Sequence, residues 1–264
     1  MTNLLSQNSL VQGILTFGFI GLFGVFLILA TAYAARFASA AMSGVSASMM
    51  SPLGALFGLI AAFLGASVWQ NHGEAVVAAN LEARSLSEAW ITASDLPDPL
   101  RSNVQRNIDS YVNSVVSEEW PIMTSISSLD NPISNKARVY LSNAIRQLVA
   151  NDRTPSIALS STAQELRTAF SARSRRLDVA LHRISGLQFA STLALGLLLM
   201  TLVAIVHHTA RHAQITGVTL AGLAVAITIG SIVVHDDPFG GYLAVTSADF
   251  GHIFEYRTTQ AGRS

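Results

Sequence analysis

Three histidines, His207, His208 and His212, lie in one short stretch, and residues 208 and 212 would share a helix side, where imidazoles can bind a divalent metal. No carboxylate accompanies them, and an interfacial polar turn explains them equally well. His235, Asp236 and Asp237 combine two acids with an imidazole, a set able to take a cation or answer to pH. The alternative is a helix stop, with Pro238 ending the run and Gly240-Gly241 shaping the turn, and this is the reading we favour. Glu118-Glu119 comes nearest to a paired-acid site, but neighbours on a helix point about 100° apart. The pair reads better as a solvated helix end beside a packed Trp120. Arg173, Arg175, Arg176 and Arg183 form a basic stretch that could meet anionic headgroups, with Arg183 best placed.

None of these sets declares a reaction. The chain shows no Gly-rich phosphate loop, no zinc-helix motif and no nucleophile elbow. It has no cysteine, which excludes thiol nucleophiles, disulfides and cysteine metal sites. We therefore assign no catalytic residue, no metal ligand and no cofactor, and expect no enzyme. Nucleic-acid binding is not expected either, because the polar part of the chain is electrically balanced.

The elements that must carry these residues are set by hydrophobicity. Half of the 264 residues are hydrophobic and 12% are charged, about half the charge of a soluble domain. Residues 14–35, 52–69, 187–206 and 215–234 contain no Asp, Glu, Lys or Arg. Each is about long enough to cross the roughly 30 Å hydrocarbon layer as a helix. The stretch before residue 36 has no basic side chain, so the first span is expected to be a retained helix and not a secretory signal. Between the second and third spans, residues 70–186 hold 12 of the 16 basic and 12 of the 16 acidic side chains.

The expected fold is all-α, with four transmembrane helices in two hairpins and a helical cytoplasmic domain between helices 2 and 3. Its parts are a hairpin over 1–69, a cytoplasmic domain over 70–186 continuous with helices 2 and 3, a hairpin over 187–234 and a cytoplasmic tail over 235–264. Lys and Arg collect on the cytoplasmic side. The face carrying both termini and 70–186 holds most of the arginines, the other only Arg36 and Arg211. The termini and the middle segment are thus expected in the cytoplasm.

Prolines punctuate the middle segment at 97, 99, 121, 132 and 155, where helices should begin or stop. Leu100, Val104, Ile108, Tyr111, Val112 and Val115 recur at helical spacing, as do Ile133, Ala137, Tyr140, Leu141, Ala144 and Leu148. No proline interrupts 53–96, so the second crossing should run on past the membrane as a helix about 66 Å long. Residues 162–206 can likewise form one helix entering the third crossing, with Leu166, Phe170, Leu177, Leu181 and Ile184 on a common side.

On a helical wheel the second crossing separates into two faces. Gly54, Gly58, Ala62 and Gly65 lie on one, where small side chains allow close helix packing. Leu56, Ile60, Phe63 and Ser67 lie on the other, facing either lipid or the axis of an oligomer, where an apolar ring gates ions by dewetting. No ionisable side chain sits within a crossing, which counts against a secondary transporter.

A run of motifs extends this reading. Trp69, Glu82-Ala83, Leu86, Leu96-Pro97, Tyr111, Glu119-Trp120-Pro121 and Met123, followed by Asp237-Pro238-Phe239-x-Gly241, resembles the bestrophin-like bacterial membrane family, in order and over most of the chain. The sequence departs from that family at Ala41-Met42-Ser43-Gly44, where an Asn-His pair is usual. The resemblance implies a homo-oligomer in a bacterial inner membrane, with the lipid bilayer and inorganic ions as partners. Its leading function is a bestrophin-like ion pathway, since bestrophins are pentameric anion or cation channels with cytoplasmic termini. The alternative is a non-conducting membrane scaffold or sensor that binds a partner through its cytoplasmic helices.

Overall fold

A computed structural model describes residues 2–124, 135–150, 156–181, 184–240, 244–248 and 250, with side chains for all of these except 2–10, 12, 38–41 and 43. Among the described residues there is no strand. The helices are α1 (Thr2–Ser43), α2 (Met50–Ala93), α3 (Leu100–Ser114), α4 (Trp120–Thr124), α5 (Lys136–Ala150), α6 (Ile157–Leu181), α7 (Gly186–Val206) and α8 (Arg211–His235). A 3-10 turn at Ala47–Met49 precedes α2, and a π-helical turn, Val115–Glu119, joins α3 to α4. The stretches Gly13–Phe37, Ala47–Ala93, Gly186–Val206 and Arg211–His235 are long and apolar enough to cross a membrane. The protein is therefore all-α with four membrane-spanning helices. Of the residues named above, Ile133, Pro132, Pro155, Arg183 and Gly241 lie outside the described residues.

The chain divides into two compact units, Met1–Gln70 with Arg183–Asp237, and Asn71–His182 with Pro238–Ser264. The first holds the apolar spans. Its core gathers Ile20 and Leu27 of α1, Phe57 and Ala61 of α2, Met200 and Val203 of α7, and Val218, Val225 and Ile229 of α8. Water does not drive helices together in lipid, so close approach matters more than bulk. Gly230 shows this: a Cβ there would stand 3.1 Å from the Phe17 ring, which occupies the space glycine leaves.

The second unit packs as a water-soluble domain does. Helix α3 buries Leu100, Val104, Ile108, Tyr111 and Val112. Helix α5 buries Ala137, Leu141, Ala144 and Leu148, and these residues share one core with Ala79, Leu86 and Ala89 of α2. Helix α2 ends in a tightened turn, Ser94 N–H to Ile91 carbonyl and Leu96 N–H to Ala93 carbonyl, before Pro97.

Three expectations need correction. First, 162–206 is not one helix: Ser185 adopts an extended conformation and its hydroxyl accepts the Gln188 N–H, starting α7 anew. Second, the buried stripe of α6 is not the one expected: Leu181 is 52% exposed, and Phe170 and Leu177 are only partly buried against the core. Together with the expected Leu166, α6 buries Leu159, Thr162, Ala169, Arg173 and Arg176, a stripe of alternating three- and four-residue steps. Third, the helix does not stop at Pro121 but continues through Thr124. In the π-helical turn before it, the Trp120 N–H reaches back to the Val115 carbonyl.

Candidate functional site

The π-helical turn decides which acid faces inward. Along α3 the buried positions Val104, Ile108, Tyr111 and Val115 step by four, three and four, and a regular helix would next present residue 118. The extra residue in a π turn shifts the register by one, so Glu119 is buried and Glu118 stays at the surface, paired with Lys136 at 2.9 Å. The expectation of two solvated acids thus holds only for Glu118.

Glu119 meets a second buried carboxylate, Glu82 of α2, through two arginines of α6. Arg176 donates from Nε to Glu82 Oε2 at 2.7 Å and from Nη2 to Glu82 Oε1 and Glu119 Oε2, both at 3.1 Å. Its Nη1 lies 2.9 Å from Met123 Sδ. Arg173 donates from Nε and Nη2 to Glu119 Oε1 at 3.1 and 2.5 Å. Tyr111 donates its hydroxyl to Glu82 Oε1 at 2.5 Å. Two carboxylates and two guanidiniums cancel, which is why so many charges can leave water together.

An aromatic layer covers this cluster. The Trp120 ring stands 5.0 Å from Arg176 Cζ and is itself flanked edge-on by Phe239 at 5.8 Å and Phe250 at 5.5 Å. The structure thereby brings together Glu82, Glu119, Trp120 and Phe239, drawn from three of the motifs read in the sequence. Pro121 is exposed and Pro238 buried beside Phe239. Burial pushes the Tyr111 phenol well above its ordinary pKa, with Glu82 reinforcing the shift. Arg176 is held fully charged by Glu82 against its own burial. Every carboxylate oxygen is engaged, and the cluster acts as a clamp joining α2, α3, α4 and α6.

Two arginines of that basic stretch, Arg173 and Arg176, thus turn inward, while Arg183, the one expected nearest the headgroups, lies outside the described residues. Arg173 is 5% exposed and Arg176 fully buried, while Arg175 pairs with Glu74 at 3.3 Å near the surface. The apolar stripe that carries both buried arginines was the available signal.

In the first unit, α2 meets its own protomer through Phe57, Ala61, Leu64 and Val68, all under 9% exposed. Leu56 and Phe63 are 46% and 69% exposed; Ser67 is exposed and Ile60 half-buried. Gly58 and Ala62 are also exposed, Gly54 and Gly65 half-buried, and a Cβ at Gly58 or Gly65 would meet nothing within 4 Å. The small-residue face is thus only partly covered within the chain, a Cβ at Gly54 meeting Leu199 of α7 at 3.9 Å.

His207 and His208 each place Nδ1 on a backbone carbonyl, of Val203 at 3.0 Å and Ile205 at 2.8 Å. Among the described residues no group of three or more His, Cys, Asp or Glu is arranged to hold a metal. At the end of α8, the His235 ring lies edge-on to Trp69 at 6.5 Å. Asp236 Oδ1 accepts the Ile184 N–H at 3.0 Å, and Asp237 is half-buried at the following position.

Four apolar spanning helices and a helical unit clamped by a buried charge cluster define a multi-pass α-helical membrane protein. Residues 17–250 match the Bestrophin-like domain, and the chain belongs to that family. Its fold is similar to a bacterial bestrophin homologue from Klebsiella pneumoniae. One point mutant of that protein superposes with a TM-score of 0.70 at 13% identity, over 90% of this chain and 96% of the other. A second crystal structure of that homologue, phased on zinc, gives 0.69 at 12% identity over 89% and 94%. A structure described as a membrane protein gives 0.67 at 13% identity over 93% and 98%. No curated protein matches the sequence.

Proposed function

We propose that this chain is one subunit of a homo-oligomeric bestrophin-like ion channel in a bacterial inner membrane, with α2 beside the ion path. Membership of the family sets the class. The observation that carries the reading to particular residues is that Leu56, Phe63 and Ser67 are exposed while the adjacent face of α2 is consumed by its own protomer. Around an oligomer axis Leu56, Ile60, Phe63 and Ser67 stack as successive rings, three apolar and one hydroxylated, and a narrow apolar ring blocks ions by dewetting. Gly54, Gly58, Ala62 and Gly65 then receive the neighbouring subunit, where their lack of bulk permits close backbone approach.

The same reading places both termini and residues 70–186 in the cytoplasm, on the distribution of arginines, with 1–69 and 187–234 in the membrane and 235–264 as a tail. Lipid, further copies of the chain and inorganic ions are its partners. It needs no catalytic group and no cofactor. Purified protein in planar bilayers is expected to carry current, and Phe63→Ala to change its gating. A folded oligomer without current replaces the channel with a scaffold or sensor acting through its cytoplasmic helices; unchanged gating in Phe63→Ala removes the proposed constriction.

A further inference from the structure

Beside the buried charge cluster, a cavity of about 390 Å³ opens between the start of α5 and the middle of α6, lined by Asn135, Arg138, Phe170, Arg173, Ser174 and Leu177. Arg173 forms part of its wall although only 5% exposed. One edge of its guanidinium, Nε and Nη2, is spent on Glu119, while Nη1 has no acceptor among the described residues. A guanidinium carries five donors in a planar fork, so the edge away from Glu119 retains donors that no described residue engages. Arg138, exposed on the first turn of α5, makes no hydrogen bond or ion pair among the described residues.

Charge points the same way. Glu82 and Glu119 are balanced by Arg173 and Arg176, and Lys136 by Glu118, whereas Arg138 at the rim has no ion-pair partner among the described residues. A planar fork matches an oxyanion better than a spherical halide, because it can address two oxygens in parallel. The Asn135 amide adds a further donor, and Phe170 and Leu177 supply an apolar floor that excludes water from one side.

We propose that this cavity binds a phosphate-type oxyanion between Arg173 and Arg138. The recognised chemistry is a phosphoryl group, whether of free phosphate or of a phospholipid headgroup. The site is independent of conduction and would stand if the channel reading failed.

The test uses the full-length protein in neutral detergent, titrated calorimetrically with inorganic phosphate at constant ionic strength. Saturable binding is expected, weakened at least about tenfold in Arg138→Ala, the scale of one lost charge-assisted hydrogen bond. Ser174→Glu, which sets a carboxylate in the cavity wall, should abolish it. Arg146→Ala removes an arginine of α5 bonded to Asn143 instead and should leave binding unchanged. A second arm measures retention of phosphatidic acid in nanodiscs of otherwise neutral lipid. Retention lowered by Arg138→Ala and by added phosphate, with weak binding of phosphate alone, identifies the headgroup as the source and supports the site. No binding in either arm, or equal binding by wild type and Arg138→Ala in both, overturns it. Should Ser174→Glu fail to fold, Arg138→Ala still decides, because its side chain is exposed and uncommitted.

Discussion

Arg176 and Glu82, 94 residues apart in the chain, meet by two parallel contacts of 2.7 and 3.1 Å with neither side chain exposed to water. Such a pair contributes little net stability over an apolar replacement of the same shape, because both ions must be desolvated. Its energetic signature lies in what happens when one partner is lost.

Glu82→Ala strands Arg176 with half its acceptors and is expected to destabilise the full-length protein by about 3–5 kcal/mol, lowering its thermal midpoint by roughly 10 °C. The double variant Glu82→Ala, Arg176→Met should lose less than the sum of the two single changes, since the second removes the stranded charge. Additive losses would refute the coupling.

The pH dependence follows from Tyr111, whose phenol is held protonated first by burial and then by the neighbouring Glu82 carboxylate. Its pKa is higher folded than unfolded. The stability this contributes is therefore complete below the ordinary tyrosine value of about 10 and is lost as pH rises beyond it. Tyr111→Phe should flatten the fall of stability in that alkaline range, and should remove one phenolate from the absorbance change that accompanies alkaline unfolding. A fall as steep in the variant as in wild type would remove Tyr111 as its cause.

Two glycines distinguish packing inside the chain from the packing proposed between copies. A Cβ at Gly196 would stand 2.8 Å from Val225 Cγ1 and 3.2 Å from the Phe57 ring. Valine has little rotamer freedom to yield, so Gly196→Ala should cost about 1–3 kcal/mol as overpacking. Gly58 has open space around it, and Gly58→Leu should leave the protomer folded while shrinking the assembly seen by native mass spectrometry. An oligomer of undiminished size in Gly58→Leu would take this face out of the subunit interface.

How far the sequence alone reaches depends on the kind of signal. The four spans are legible because charge is excluded from hydrocarbon and the required length is fixed by the bilayer; periodic apolar residues likewise reveal the buried faces of α3 and α5. The start of α7 was also signalled, by Ser185-x-x-Gln188, a helix-opening pattern that continuous hydrophobic periodicity overshadowed. The charge cluster was half visible. Arg173 and Arg176 continue the Leu159, Thr162, Leu166 and Ala169 stripe, and Glu82 continues that of Ala75, Ala79, Leu86 and Ala89, so charges on buried stripes foretold burial with a partner. What no periodicity reveals is the π-helical turn, since one inserted residue changes the register only once the fold has formed; the choice of Glu119 over Glu118 therefore emerges only in three dimensions.

Gln214 of α8, 1% exposed, donates from Nε2 to Thr31 Oγ1 at 2.7 Å and to the Ala204 carbonyl, in the last turn of α7, at 2.9 Å. It thus ties three helices through one amide. Side-chain hydrogen bonds between membrane helices average only about 0.6 kcal/mol, because the unfolded chain in lipid also finds partners. Two such bonds give about 1 kcal/mol for Gln214→Leu, well below the loss expected for Glu82→Ala. The amide oxygen of Gln214 has no partner among the described residues, and removing it offsets part of that loss. Thermal midpoints of the two variants in one detergent provide the comparison, and a Gln214→Leu defect as large as that of Glu82→Ala would mean that polar ties, not glycine-mediated packing, hold the spanning helices together.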